Sequence, residues 1–481
     1  MTQANDTSPR RTGGTFRVRS GPRRSNPAPW PDIWRWLAPF AAATALLLLG
    51  YLLREPGVWH PNDYHAFSFG SLNYSDIIWL HIRDHLADHP RPYLDYRLEY
   101  PPLTGGLTYL LSFAPSLPAY FALTYAVLAL SGLATVGALG GIAGANRWYV
   151  AAAPGLVLLG GLNWDLAAIA LTALALLAYA RGRDVWGTLA LLAAVWLKLF
   201  PIVFLGAILV ERLRERRWRS LATIGALFAA GSAAINLPLA NANPENWSYF
   251  FTLNNERRPE PSIWTLLPPL TIPEINTASL MLLALGGLVL GLVALRSRVP
   301  VASLLGATLL IWWLFVNKIY SPQYSLWVYL ALALLAVPRP FWIAFALFDV
   351  AYYFASFQIL YTSLFDLPNI VEWQTEHLVH PLVAVRLVLL GAAAAAGAYA
   401  LWQLSRQRVS ADARFVGALA ALSPQRDAPA ANGQRRSVAA VARGSSAPSP
   451  AAVAANGTAP TGAAPQPAAS PRKRRSRARR K

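Results

Sequence analysis

The chain has 481 residues, 55% of them hydrophobic, and a mean hydropathy of +0.35. Charged residues make up 14%, against about 25% in an ordinary soluble domain, and this excludes a water-covered globule of this length. Cysteine is absent, which excludes disulfides, thiolate nucleophiles and cysteine-held metals.

The net charge of +19 is concentrated at the two ends. Residues 1–35 hold seven arginines against two aspartates, and residues 406–481 hold fifteen basic groups against two aspartates. The stretch between them is within one charge of neutrality. Residues 1–30 are rich in Arg, Ser, Gly and Pro with no apolar period, and predict a disordered N-terminus. The run 33–53 is long enough to cross a bilayer. No small-residue cleavage site follows it closely, so it reads as a retained anchor, with the arginines before it in the cytoplasm. A polar first external loop, 54–102, follows. Within it, 75–87 has the pattern of an amphipathic helix lying on the membrane face.

Run 103–114 is too short to cross alone, whereas 120–142 is long enough. Two short apolar runs, 149–159 and 166–178, are joined by Gly161, Leu162, Asn163, Trp164 and Asp165. The next run, 186–210, is interrupted by Lys198 and Pro201 and ends in the arginine-rich loop 211–219. Short arginine-rich loops belong on the cytoplasmic side, which points the Asn163–Asp165 and Lys198–Pro201 breaks outward. Broken helices are tolerated where they line a polar cavity inside the protein. Further apolar runs at 221–237, 277–295, 301–316, 326–337, 341–360 and 382–404 complete the body. The expectation is an all-α, multi-pass cell-membrane protein of about 12 spanning or half-spanning helices over residues 31–405, with both termini cytoplasmic. The tail 406–481 is Ala/Pro/Ser/Gly-rich, predicts disorder and ends in a polybasic run. Such a tail is drawn to anionic membrane lipids and carries no signal for specific nucleic-acid binding.

Polar groups in or beside a membrane are costly and are functional candidates by default. On this topology Asp63, His65, Asp76, His81, Glu99, Asp165, Lys198, Arg257, Arg258 and Lys318 all fall on the outward side. Asp76, at the start of the interfacial helix, is a carboxylate able to accept a proton from an alcohol; the alternative is that Ser75 or Asp76 caps the helix. Asp63 competes as the base, or is a turn residue. Glu99 opens the next apolar stretch beside Tyr100, with Arg97 or another external arginine as its partner. Lys198 either snorkels to the surface or faces an anion, with Asp165 as its partner across two half-helix tips. Arg257 and Arg258 could clamp a phosphate, or be ordinary loop charges. The segment Asn317-Lys318-Ile319-Tyr320-Ser321-Pro322-Gln323-Tyr324 has more hydrogen-bonding side chains than a linker needs. No zinc motif, Walker motif or dinucleotide fingerprint is present, and no cofactor is expected.

Taken in order, several segments carry a resemblance: Tyr74-Ser75-Asp76-Ile77, Pro92-Tyr93-Leu94-Asp95-Tyr96, Glu99-Tyr100-Pro101-Pro102-Leu103-Thr104-Gly105, Asn163-Trp164-Asp165, Lys198-Leu199-Phe200-Pro201, Ser262-Ile263-Trp264 and the 317–324 segment. From about residue 60 to 400 the chain resembles the polyprenyl-phosphate-dependent membrane glycosyltransferases of the GT-C superfamily, and within them the alpha-mannosyltransferase-like glycosyltransferase family 87. The resemblance implies inverting, metal-independent transfer of a hexose, mannose above all, on the extracytoplasmic side. The donor is a polyprenyl-phosphate sugar, and the acceptor a hydroxyl of a glycolipid or glycan. It implies Asp76 as base, with Asp63 as the competing match. Lys198, Arg257, Arg258, Lys318, Gln323 and Tyr324 are implied as contacts of donor phosphate or sugar, and His65, Glu99, Tyr100, Asn163 and Asp165 line the site. Transfer of arabinose or another pentose is the alternative within the superfamily. A transporter or flippase of a lipid-linked or anionic substrate is the alternative outside it, since transporters also use broken helices. A non-enzymatic assembly factor working through its cationic tail is a further one.

Overall fold

The computed structural model describes residues 32–406, and the expectations for 1–30 and for the tail beyond 406 lie outside the described residues. In chain order the helices are α1 (Asp32–Arg54), α2 (Tyr64–Gly70), α3 (Asp76–Arg83), α4 (Pro102–Leu111), α5 (Leu117–Gly141), α6 (Trp148–Ala151), α7 (Gly155–Leu158), α8 (Asp165–Ala180) and α9 (Asp184–Leu197). They continue with α10 (Ile202–Arg214), α11 (Trp218–Ala242), α12 (Pro244–Glu256), α13 (Ile272–Leu295), α14 (Ala302–Val316), α15 (Ser325–Leu335), α16 (Arg339–Ser363), α17 (Pro368–Gln374) and α18 (His380–Arg406). Among the described residues there is no β-strand, and Pro92–Tyr96 forms an isolated bridge. The fold is all-α.

Among the described residues six stretches are long and apolar enough to cross a membrane: Trp34–Trp59, Leu117–Gly141, Trp218–Ala242, Ile272–Leu295, Arg339–Ser363 and Pro368–Arg406. Their outer faces carry large exposed apolar side chains such as Leu280, Leu288, Leu347 and Val388. Those faces need hydrocarbon around them, so this is an integral membrane protein. Four further apolar helices are shorter: Asp165–Ala180, Asp184–Leu197, Ala302–Val316 and Pro322–Leu335. Sixteen residues of α8 reach about 24 Å at about 1.5 Å per residue, less than the roughly 30 Å of bilayer hydrocarbon. Their ends therefore leave polar backbone at depth, inside protein. The run 186–210 is divided as Lys198 and Pro201 suggest. The chain turns extended at Lys198, and α10 starts after Pro201, which has no N–H to continue a helix.

The core lies where the short helices meet. Residues 325–334 of α15 are buried all round, the condition for a helix that is apolar on every face. α8 packs between α5 and α9, and α14 between α10, α15 and α18. At one end of α14 the Glu211 carboxylate accepts from the free N–H groups of Val301 (2.6 Å) and Ala302 (2.8 Å), satisfying donors that a helix start leaves open. Arg212, buried beside it, pairs with Asp184 at 2.8 Å. The opposite end of α14 leads directly into the 317–324 segment. The basic 211–219 loop and the 317–324 segment thus lie about 22 Å apart, at opposite ends of a helix of fifteen residues.

Candidate active site

Asp76 is positioned by the junction of the 54–102 segment with the turn before α8. Ser75 is the N-cap of α3: its hydroxyl accepts from Ile77 N–H and donates to the Gly161 carbonyl at 2.7 Å. The Asp76 N–H donates to the Leu162 carbonyl at 2.8 Å. Capping is thus done by Ser75, which leaves the Asp76 carboxylate for other contacts. Asn163 donates to Asp76 Oδ2 at 2.7 Å, and the Tyr100 hydroxyl donates to the same oxygen at 3.2 Å. The Trp164 N–H holds Asn163 Oδ1 at 2.6 Å, so the amide turns its NH2 towards Asp76. Gly161 is required by a close approach: a Cβ there would lie 2.4 Å from the Tyr125 ring.

Tyr100 is aimed by a second device. The Tyr93 hydroxyl donates to the carbonyls of Tyr100 (2.9 Å) and Pro101 (2.8 Å). Tyr93 itself sits at φ 67°, a region costly for a bulky residue. Gly105 leaves room for its ring, which a Cβ would meet at 2.4 Å. Pro102 then starts α4 at a position where no N–H is needed.

The cations come from elsewhere in the chain. Lys198, at the C-terminus of α9, pairs with Asp165 at 3.3 Å and stands 4.5 Å above the Tyr100 ring. Asp165 is fully buried in the first turn of α8 and accepts from Trp327 Nε1 at 2.7 Å. Arg257 follows α12 and is bound to Glu260. Lys318 is buried and donates to the Asn255 carbonyl at 3.0 Å, and the Glu260 N–H donates to the Lys318 carbonyl at 3.0 Å. These two bonds stitch the 255–260 and 317–324 segments together.

All of this surrounds a cavity of about 1170 Å³ lined by Asp76, Glu99, Tyr100, Lys198, Arg257, Lys318, Gln323 and Tyr324. That exceeds the roughly 300–1,000 Å³ of most small-molecule sites. One wall is apolar: Leu280 and Leu283 of α13, Trp313 and Val316 of α14, and Ile359 and Leu360 of α16. Leu280 is 67% exposed on a membrane-length helix, so the cavity opens towards the apolar outer surface. Burial pushes the Asp76 carboxyl above the usual carboxylate range, opposed by hydrogen bonds from Tyr74 and Asn163 and by the charge of Lys198. Burial raises the Tyr100 hydroxyl well above its ordinary value, with Asp76 adding to the rise, and keeps it a donor. Burial lowers Lys318, with Arg257 adding to the fall.

No family model matches the chain, and no curated protein matches it. Among solved structures it is similar to the crystal structure of ArnT from Cupriavidus metallidurans bound to undecaprenyl phosphate, at 19% sequence identity over 77% of this chain and 78% of that chain, with a TM-score of 0.40.

Other candidates from the sequence lie off the cavity wall. Asp63 is exposed and contacts His60 at 3.3 Å. His65 packs on Trp79, with ring centroids 3.9 Å apart, among Phe69 and Tyr74. The Arg258 side chain is exposed and does not line the cavity. Asn163 and Asp165 act from behind the wall, through Asp76 and Lys198. Glu99 pairs bidentately with Arg83 (2.7 and 2.8 Å) and not with Arg97, which stacks on Tyr249. Among the polar wall residues to which sequence reasoning gave no role are Tyr74, Glu260 and His380. His380 follows a π-helical segment, Thr375–Val379, a distortion common at functional sites that leaves no mark in the sequence. Among the described residues no group of three or more His, Asp or Glu side chains could hold a metal ion.

Proposed function

We propose that this protein is a membrane glycosyltransferase that takes a sugar, mannose by family resemblance, from a polyprenyl-phosphate donor. It passes the sugar, with inversion, to a hydroxyl of a glycolipid or glycan. The observation that carries this reading is the single cavity uniting the Asp76 carboxylate, three cations and an apolar wall on a membrane-length helix. A lipid-linked sugar phosphate needs all three. The prenyl chain lies along α13 and α16, the phosphate meets Arg257 and Lys318, and the sugar reaches towards Asp76.

The step follows from those groups. The acceptor oxygen attacks C1 of the sugar while the Asp76 carboxylate takes its proton. The C1–O bond to phosphate breaks, and its electron pair leaves with the lipid phosphate. Charge growing on the phosphate oxygens is stabilised by fixed cations. Phosphate is a good leaving group, so one carboxylate suffices where a glycosidase uses two. Tyr100 and Asn163 orient the base, and Lys198, locked to Asp165, holds a positive charge beside it.

The active site is extracytoplasmic in this reading. The basic 211–219 loop lies at the far end of α14 from Lys318, and arginine-rich loops stay inside. Purified protein in nanodiscs, given radiolabelled polyprenyl-phosphate mannose or arabinose and extracted membrane glycolipids, tests the reading. A labelled glycolipid with inverted anomeric configuration, formed equally with EDTA, is the expected result. Transmembrane movement of the lipid-linked sugar without a labelled product would favour a flippase instead.

A further inference from the structure

The three cations of the cavity have partners of different kinds. Lys198 is paired with Asp165, which is fully buried, is also held by Trp327 and does not line the cavity. Lys318 donates to an uncharged carbonyl. Arg257 is bound to Glu260, whose carboxylate itself lines the cavity. Resting on the lipid-phosphate reading of the site, we propose that Glu260 competes with the lipid phosphate for Arg257, so that phosphate binding exchanges one anion for another and product leaves as Glu260 returns.

The local geometry suits such an exchange. Pro259 and Pro261 flank Glu260 and restrict its backbone, and its N–H is tied to the Lys318 carbonyl. Displacement therefore needs only a side-chain rotation. The Ser321 hydroxyl lies 3.5 Å from Glu260 Oε2 and offers the displaced carboxylate a partner. The Arg257 and Glu260 side chains are 39% and 32% exposed, and ion pairs this solvated are weak. The buried Lys198–Asp165 pair could not act in this way, since separating it strands a charge.

Charge gives the exchange a direction. A sugar phosphodiester carries one negative charge, whereas a phosphate monoester carries about −1.5 to −2 at neutral pH. Arg257 and Lys318 together would hold the product more tightly than the donor. A carboxylate contending for Arg257 lowers the local positive charge and narrows that difference. Glu260 is in this sense a positioning residue that sets the balance between donor and product.

The experiment measures binding of undecaprenyl phosphate, and of the corresponding sugar phosphodiester, to the full chain in nanodiscs. Wild type, Glu260→Gln, Arg257→Gln and the double variant are compared, with Glu260→Ala as a second neutral variant should the glutamine chain not fold. Glu260→Gln is expected to tighten undecaprenyl phosphate binding about fivefold, the upper end for a partly solvated ion pair. It should tighten the diester less. Arg257→Gln is expected to weaken binding and to abolish the effect of the second change. Glu260→Asp keeps the carboxylate and should bind as wild type. Unchanged or weaker monoester binding by both neutral variants would overturn the exchange and make Glu260 a mere support for Arg257. If neither wild type nor the neutral variants retain undecaprenyl phosphate above protein-free nanodiscs, the lipid-phosphate reading itself fails, and this inference with it.

Discussion

At Asp76 the chemistry depends on a carboxylate that costs more to ionise than usual. Burial is the main cause, and Tyr74, Asn163 and Lys198 oppose it. A base works only when deprotonated, so kcat/KM is expected to fall as pH drops through the raised Asp76 pKa. Replacing Asn163 with Ala removes a hydrogen bond that favours the carboxylate and raises the pKa further. The acid limb of the pH profile should then move to higher pH, and an unmoved limb would contradict this role for Asn163. The same shift predicts a stability effect. Folding raises the Asp76 pKa, so the folded chain binds that proton more tightly than the unfolded chain does, and the charged form costs stability at neutral pH. Asp76→Asn should therefore cut transfer sharply without lowering Tm. A scan showing a clear drop in Tm would mean that the loss of activity reports misfolding.

Elements bring these residues together by ending early. Helices α8 and α9 are too short to cross alone, and the ends that meet at the cavity place Asp165 and Lys198 within 3.3 Å. That pairing was legible in the sequence, because both residues interrupt apolar runs and opposite charges at such breaks need each other. Asp165→Asn would leave Lys198 as a buried unpaired cation, at a cost of about 3–5 kcal/mol, measurable by denaturation in detergent. A loss well below 1 kcal/mol would show that the pair is solvated. Gly161→Val should push the turn carrying Asn163 away from Tyr125 and strip Asp76 of its donor, lowering transfer strongly; full activity would show that the turn repacks. For Glu99 the sequence offered Arg97 or another arginine as partner and could not choose between them. Its partner Arg83 lies sixteen residues back, and only the fold of the 54–102 segment brings them face to face. Glu260 and His380 were hidden for different reasons. Glu260 reads as one more loop charge, and His380 falls just before the apolar run 382–404, after a π-helical segment that composition does not reveal.

Across the whole molecule the sequence foretold an all-α membrane body, because charge is scarce and the apolar runs are long. It did less well on which polar groups share a cavity, since that depends on contacts between distant segments. Sidedness can be tested directly, because the chain has no cysteine of its own. Glu245→Cys, exposed on α12, should react with an impermeant thiol reagent from outside intact cells. Arg219→Cys, exposed at the start of α11, should react only after permeabilisation. The reverse pattern would place the cavity in the cytoplasm. The most direct test of the central claim is transfer from radiolabelled polyprenyl-phosphate mannose by wild type, Asp76→Asn and Asp63→Asn, with lipid-phosphate binding measured on the same samples. The account predicts that Asp76→Asn loses about 10²- to 10⁴-fold in kcat with binding kept, while Asp63→Asn stays near wild type. Transfer retained by Asp76→Asn, or lost only in Asp63→Asn, would contradict it.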